Sequence, residues 1–385
     1  MSSPVRIGLV VGELSGDNLG VGLMRAIKQL VPDVQFEGIG GPQMVAEGML
    51  SLADQERLAV MGYVEPLKRL PELLGIRKKV RDHFLDNPPA AFIGIDSPGF
   101  NLGLEKNLRK AGIKTVHYVS PQVWAWRQGR VKKIARCVDL MLTLFPFEAE
   151  FYREHDVPVS FVGHTLADTM DLDPDTLAAR DRLGLAQVTS AQKVVALLPG
   201  SRGSEVKLLA ADFLSAAEQI AVTLPDVHFI IPAATTARYQ QIEQALESYP
   251  ELPVTLLQGQ SHDVMCAADV VVMASGTTTL EAMLLKKPMV VAYRFPVLSY
   301  AILSRLLKIP YISLPNILAG KELVPELLQD AVTADGLAKE VLAYFTDSAR
   351  VAALQGEFLT MHKTLKQNAD EKAAAAIIGL INASH

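Results

Sequence analysis

Val194-Val195-Ala196-Leu197-Leu198 runs straight into Pro199-Gly200-Ser201-Arg202-Gly203-Ser204-Glu205. An uncharged, partly β-branched run that stops at a glycine loop and gives way to a helical pattern reads as a buried strand feeding a helix. The chain begins in the same way. Val5–Val11 is a strand by the same criteria, Gly12-Glu13-Leu14-Ser15-Gly16-Asp17 is the loop behind it, and a helix is predicted from about Leu19 to Leu30. The opening pattern therefore restarts midway, and further strands follow each start. In the first half these are Ala91–Ile95, Lys114–Tyr118, Leu140–Leu144 and Phe161–Gly163. In the second they are Phe229–Ile231, Val254–Leu257, Val270–Met273 and Met289–Ala292. Strands that alternate with longer helical stretches argue for βαβ units and parallel sheets. The expected fold is α/β, with two Rossmann-like domains facing each other across a cleft that holds the site. The polar, proline-bearing stretch Asp171-Leu172-Asp173-Pro174-Asp175 suits a joint. Residues 1–165 are assigned to the first domain, 166–350 to the second, and 351–385 to a helical tail whose packing partner is left open.

The chain has 385 residues, and at roughly 100–200 residues per domain that suits two domains and permits three. Hydrophobic residues at 49% and charged residues at 21% exclude disorder and a collagen-like chain. Lys and Arg number 37 against 42 Asp and Glu, a formal net charge of −5. That is the wrong sign for a protein that works by neutralising phosphate backbones, so no nucleic-acid partner is expected. Cys137 and Cys266 are too few for a disulfide framework or a thiolate metal site, which suits a reducing compartment. The first apolar run carries Arg6 and ends at Gly12-Glu13, too short for a signal-peptide core. No stretch reaches the roughly 18 uncharged apolar residues of a membrane span. The expectation is a protein that is soluble or lies on a membrane surface.

Gly12, Gly16 and Gly20 in the first loop match neither the dinucleotide fingerprint nor a P-loop. They let the backbone approach a ligand, or else simply turn a strand into a helix. In the second loop, Gly200, Ser201 and Arg202 suit a diphosphate, with the guanidinium gripping it bidentately. The plainer alternative is a surface arginine in a polar turn. A third loop, Ala274-Ser275-Gly276-Thr277-Thr278-Thr279-Leu280-Glu281, sets a run of hydroxyls at a helix start, an anion site that needs no metal. Glu281, about a turn later, is placed to accept both hydroxyls of a ribose, although Ser275 as a cap and Glu281 as a solvated residue would explain the stretch alone. Two phosphate-friendly loops and a ribose-type carboxylate in one half favour a nucleotide there.

Asp96 stands at a strand's C-terminal end, where open α/β sheets place ligand groups, and Pro98 and Gly99 then break the chain. It is the candidate general base, with capping of the turn as the alternative. Trp124 and Trp126 precede Arg127, Arg130, Lys132, Lys133 and Arg136. A sugar face or loop packing suits the pair better than single-stranded nucleic acid, which a lone patch in an acidic chain supports weakly. The histidines are scattered and the Asp171–Asp175 stretch reads as helix capping, so no metal and no cofactor are expected. Val64, Leu67, Leu70, Leu73, Leu74 and Ile76 are mixed with Lys68, Arg69, Arg77, Lys78 and Lys79. That mixture suits a helix on an anionic bilayer, or equally a core-facing helix, and Pro71 is expected to interrupt any single one. Val297–Ile309 is a second stretch of the same kind.

Taken in order, these segments resemble the lipid-A-disaccharide synthase family, glycosyltransferases of the two-Rossmann (GT-B) architecture. The resemblance rests on Gly12-Glu13-Leu14-Ser15-Gly16-Asp17, Ala59-Val60-Met61-Gly62, Gly94-Ile95-Asp96-Ser97-Pro98 and His117-Tyr118-Val119-Ser120-Pro121 with Val123-Trp124-Ala125-Trp126-Arg127. It continues through Leu198-Pro199-Gly200-Ser201-Arg202-Gly203, Ala274-Ser275-Gly276-Thr277, Leu314-Pro315-Asn316 with Leu318-Ala319-Gly320, and Asn368-Ala369-Asp370-Glu371. The family implies UDP-2,3-diacylglucosamine as donor and 2,3-diacylglucosamine 1-phosphate as acceptor, joined β-1,6 with release of UDP. It implies lipid A biosynthesis at the cytoplasmic face of the inner membrane of Gram-negative bacteria, by an inverting, metal-independent displacement. Asp96 would then deprotonate the acceptor's 6-hydroxyl. Arg202 and the Thr277 loop would stabilise the UDP leaving group, with Gly200, Ser201, Ser275, Gly276 and Thr278 around it. Glu281 would hold the ribose, and Asn316 would complete the donor site. Ser15, Gly16, Asp17, Trp124 and Trp126 would face acceptor or sugar, and Val64, Leu67, Lys68, Arg69, Leu70 and Leu73 would meet the membrane. Oligomeric state and acyl-chain length are not readable. Two other readings stay open: an isomerase like UDP-GlcNAc 2-epimerase, and a non-catalytic lipid-binding protein of the membrane surface.

Overall fold

The computed structural model describes residues 4–58, 69–185, 188, 192–295 and 309–383. They form two compact units, residues 1–168 with 365–385, and residues 169–364. The first unit holds a seven-stranded parallel sheet in the order β3-β2-β1-β4-β5-β6-β7. Its strands are β1 (Arg6–Val11), β2 (Gln35–Ile39), β3 (Leu50–Ser51), β4 (Ala91–Ile95), β5 (Lys114–Tyr118), β6 (Leu140–Thr143) and β7 (Val159–Phe161). Their near-continuous apolar runs belong to strands covered on both faces: every residue of β4 is buried. Phe84 and Phe92 pack edge to face, 5.6 Å between ring centres, in the core under the helix Leu70–Asp86. Burying a side chain of that size contributes about 2–3 kcal/mol.

The second unit repeats the plan with six parallel strands in the order β10-β9-β8-β11-β12-β13. They are β8 (Val194–Leu198), β9 (His228–Ala233), β10 (Val254–Gln258), β11 (Val270–Ala274), β12 (Met289–Tyr293) and β13 (Glu326–Leu328). Each sheet reverses its strand order once, between β1 and β4 in the first unit and between β8 and β11 in the second. Those switch points are where open α/β sheets receive ligands.

Several expectations are corrected. The first helix spans Leu14–Leu30, so Ser15, Gly16 and Asp17 lie in its opening turn rather than in a loop. Glycine is tolerated there because the helix needs the room: a side chain at Gly20 would meet Met44 at 2.3 Å. Pro71 does not interrupt the helix Leu70–Asp86 but starts it, at a position whose N–H would have no helical partner anyway. The tail is not one helix. Ser348–Leu365 and Ala369–Asn382 are separated by a break at which Asn368 takes a left-handed conformation. The last helix returns to the first unit, where it packs on Leu14–Leu30, and the Asp168 carboxylate accepts the N–H groups of Asn368 and Ala369 at 2.9 and 2.7 Å. Among the described residues no helix is long and apolar enough to cross a membrane.

Candidate functional site

At the β1–β4 switch point, the backbone itself is unusual. Asp96 and Ser97 both adopt left-handed conformations (φ 51° and 45°), and Val119, at the end of β5, does so at φ 78°. Such residues cost on the order of 1–3 kcal/mol each and concentrate at ligand sites. Asp96 is half-buried. Its N–H donates to the Tyr118 carbonyl at 2.8 Å, and its own carbonyl accepts from Asn101 Nδ2 at 2.9 Å. The carboxylate is left out of this network: among the described residues no donor is bonded to it. Beside it the β1 loop comes so close that a side chain at Gly12 would place its Cβ 2.0 Å from Ser97 Oγ. Only glycine permits that approach.

The neighbouring candidates of the first unit divide. Asp17 is buried, and its two oxygens accept the N–H groups of Gln43 and Met44 at 3.0 and 3.1 Å. It ties two helices together. Gly16 is buried as well, while Ser15 is exposed. Trp124 is a packing residue: its ring meets Phe147 edge to face, and Nε1 donates to Glu148 Oε1 at 3.2 Å. Trp126 is half-exposed, with the Arg127 guanidinium 4.5 Å above its ring. Glu148 was not singled out in the sequence. It is buried against Trp124 and the Phe145 N–H, and burial pushes its carboxyl up to about 8.

In the second unit, two loops flank the β8–β11 switch point. The first is closed by Glu205, one of whose oxygens accepts the N–H groups of Ser201 and Arg202 at 3.1 and 3.2 Å, while the other takes Arg202 Nη1 at 2.8 Å. This capping arrangement was legible as Arg202 followed three residues later by a glutamate at a helix start. Gly200 stands at φ 123°, where only glycine is unstrained. Arg202 is held by Glu205 yet keeps 77% of its side chain exposed, available to a ligand.

In the second loop, Ser275 donates to the Ile312 carbonyl at 3.1 Å, so it braces the loop rather than capping a helix. Gly276 and Thr277 are exposed and Thr278 half-exposed at the start of the helix Thr278–Leu284. Glu281 follows on that helix, half-buried, with burial raising its carboxyl above the ordinary range. Asn316 does not join them. It is fully buried, donates to the Val324 carbonyl and Glu326 Oε1, and accepts the N–H groups of Leu323 and Val324. All its hydrogen-bonding capacity is used in the fold.

Of the membrane segment, Val64, Leu67 and Lys68 lie outside the described residues, as do the Ala59–Gly62 motif and 297–308 of the second stretch. Arg69 bonds Glu72 at 3.2 Å, Leu73 packs against the core, and Leu70 and Leu74 are 46% and 44% exposed. Asp175 caps the helix Thr176–Arg182 by accepting the Ala178 N–H at 2.9 Å.

A family model described as lipid-A-disaccharide synthetase matches residues 7–377. A lipid-A-disaccharide synthase from Saccharophagus degradans is 56% identical over 383 residues, covering 100% of this chain and 98% of its own. One from Pseudomonas aeruginosa is 53% identical, covering 99% of both. Among solved structures, a putative UDP-N-acetylglucosamine 2-epimerase from Listeria monocytogenes aligns with a TM-score of 0.63 at 12% identity, over 99% of this chain and 97% of that one. The calicheamicin glycosyltransferase CalG4 aligns at 0.59 and 14%, over 98% and 99%. At these identities the two structures report the shared fold of paired parallel-sheet domains.

Proposed function

The chain belongs to the lipid-A-disaccharide synthase family, and from that premise we propose that it joins UDP-2,3-diacylglucosamine to 2,3-diacylglucosamine 1-phosphate. The products are a β-1,6-linked disaccharide 1-phosphate and UDP. What carries the reading is a match that spans both units, over residues 7–377 for the family model and 383 residues for the Saccharophagus degradans relative.

In this reading the Asp96 carboxylate takes the proton of the acceptor's 6-hydroxyl as that oxygen attacks the anomeric carbon of the donor. The C–O bond to UDP breaks on the opposite face, so the anomeric configuration inverts. A carboxylate to which no donor is bonded among the described residues keeps its lone pairs available for that proton. Charge developing on the UDP leaving group is met by Arg202, by the N–H groups of the Gly200 and Gly276 loops and by the Thr277 and Thr278 hydroxyls, without a metal ion. Glu281 accepts the ribose hydroxyls. Ser15 and Trp126 lie on the acceptor side. Exposed Leu70 and Leu74, with Lys78 and Lys79 on the same helix, suit a contact with the anionic cytoplasmic surface of the inner membrane, from which acylated substrates barely emerge.

The test is a mass-spectrometric turnover assay in detergent with both acylated substrates and the purified chain. The tetraacylated disaccharide phosphate with equimolar UDP is the expected result. UDP binding without disaccharide would overturn the substrate assignment and direct attention to epimerisation of UDP-GlcNAc.

A further inference from the structure

Arg238 carries a guanidinium for which no acceptor is found among the described residues. It sits in the first turn of the helix Thr236–Leu246, where its N–H donates to the capping Thr235 hydroxyl at 3.3 Å. From there the side chain lies across the neighbouring glycine loop: a Cβ at Gly203 would stand 2.6 Å from Nη1 and 3.0 Å from Cζ. Gln241, on the same helix, donates to the Gly203 carbonyl at 3.1 Å and fixes the two helix starts together. Yet Arg238 Nε is buried without a partner. Among the described residues no carboxylate or carbonyl is bonded to the rest of its guanidinium either. Arg202, on the same loop, contrasts with it, being paired with Glu205.

Nε is too buried for a ligand to reach, but Arg238 as a whole is half-exposed, and the end of its guanidinium lies against the glycine loop. The planar fork of an arginine matches two oxygens of a phosphate. We propose that Arg238 is a phosphate-binding residue of the second unit, gripping the diphosphate of the bound nucleotide from the β9 side of the loop 199–205. The inference rests on the reading that a UDP-sugar binds at the β8–β11 switch point. Gly203 then has a specific purpose, since any side chain there displaces the guanidinium.

The test is calorimetric titration of the full chain with UDP, uridine and inorganic pyrophosphate, using wild type, Arg238→Ala, Gly203→Ala and the double variant. Loss of one charge-assisted contact predicts UDP binding about thirtyfold weaker in Arg238→Ala, with uridine changed less than about twofold. Gly203→Ala weakens UDP in the same direction, and the double variant is no weaker than Arg238→Ala alone, because both act through one group. Unchanged UDP affinity in Arg238→Ala, or equal losses for UDP and uridine, would overturn the proposal. A wild type that binds no UDP would remove the donor-site reading instead. In that case pyrophosphate binding lost in Arg238→Ala would still support the guanidinium's role, and unaltered pyrophosphate binding would end it.

Discussion

Asn101 holds Asp96 by its backbone, donating Nδ2 to the Asp96 carbonyl at 2.9 Å from a side chain that is itself fully buried. The same NH₂ group lies 3.3 Å from the Val10 carbonyl and 3.4 Å from that of Ile95, so it gathers the ends of β1 and β4. Two successive left-handed residues need such a restraint. Asn101→Leu should therefore lower kcat about tenfold while KM for the UDP-sugar stays near wild type. A wild-type kcat in a folded variant would show that Asp96 keeps its geometry unaided.

Asp96→Asn keeps the shape of the side chain and removes the base. Turnover is expected to fall by about 10²–10⁴, with UDP titrations superimposable on wild type. Activity within a few fold of normal would exclude the residue as the proton acceptor.

Arg202→Ala should weaken UDP binding by about tenfold, the effect of one solvent-accessible charged contact. In the same assay, excess EDTA should leave the rate within about twofold, as expected of a leaving group stabilised by protein donors alone. Inhibition that Mg²⁺ reverses would bring a cation back into the mechanism.

For Asn316→Ala the expected cost is to the fold. Four hydrogen bonds from one buried side chain disappear, and urea denaturation should show a loss of about 2–4 kcal/mol. Reduced UDP affinity at undiminished stability would return Asn316 to the donor site.

Glu148 should make stability fall as pH rises. Its folded carboxyl, at about 8, binds a proton more readily than the unfolded one near 4.5. Its contribution is thus fully present below the unfolded value and is lost as pH climbs through the folded one, a change of about 3–5 kcal/mol. Glu148→Gln removes this titration. Its thermal midpoint should vary less than wild type from about pH 5 to about pH 8, and parallel curves would show that Glu148 is not the titrating group.

The central strands of both sheets were readable because each is a short apolar run ending at a polar or glycine loop. The strands β2, β3 and β13 were not, since Gln35–Ile39 and Glu326–Leu328 each carry a glutamate and Leu50–Ser51 is too short to show a period. Arg202, the Thr277 loop and Asp96 could be placed at strand ends from the sequence because sequence order alone puts them there. The internal partners of Asp17, Trp124 and Asn316 were not readable, for one shared reason. Each is polar or aromatic near a ligand-type loop, but its partners (Met44, Glu148 and Glu326) lie elsewhere in the sequence and decide which way it turns. Arg238 had no local signal at all, because what distinguishes it is the absence, among the described residues, of an acceptor in three dimensions.

The first unit is assembled from residues 1–168 and 365–385, with the whole of the second unit intervening. During synthesis from the N-terminus, its sheet is therefore complete long before the helix Ala369–Asn382 exists to cover Leu14–Leu30. Until residues 369–382 are translated, the buried alanines and Ile377 of that helix are missing from their place against Leu14–Leu30. A nascent chain in this state is a natural client for a chaperone. A stop codon before residue 369 would harm the unit that was made first.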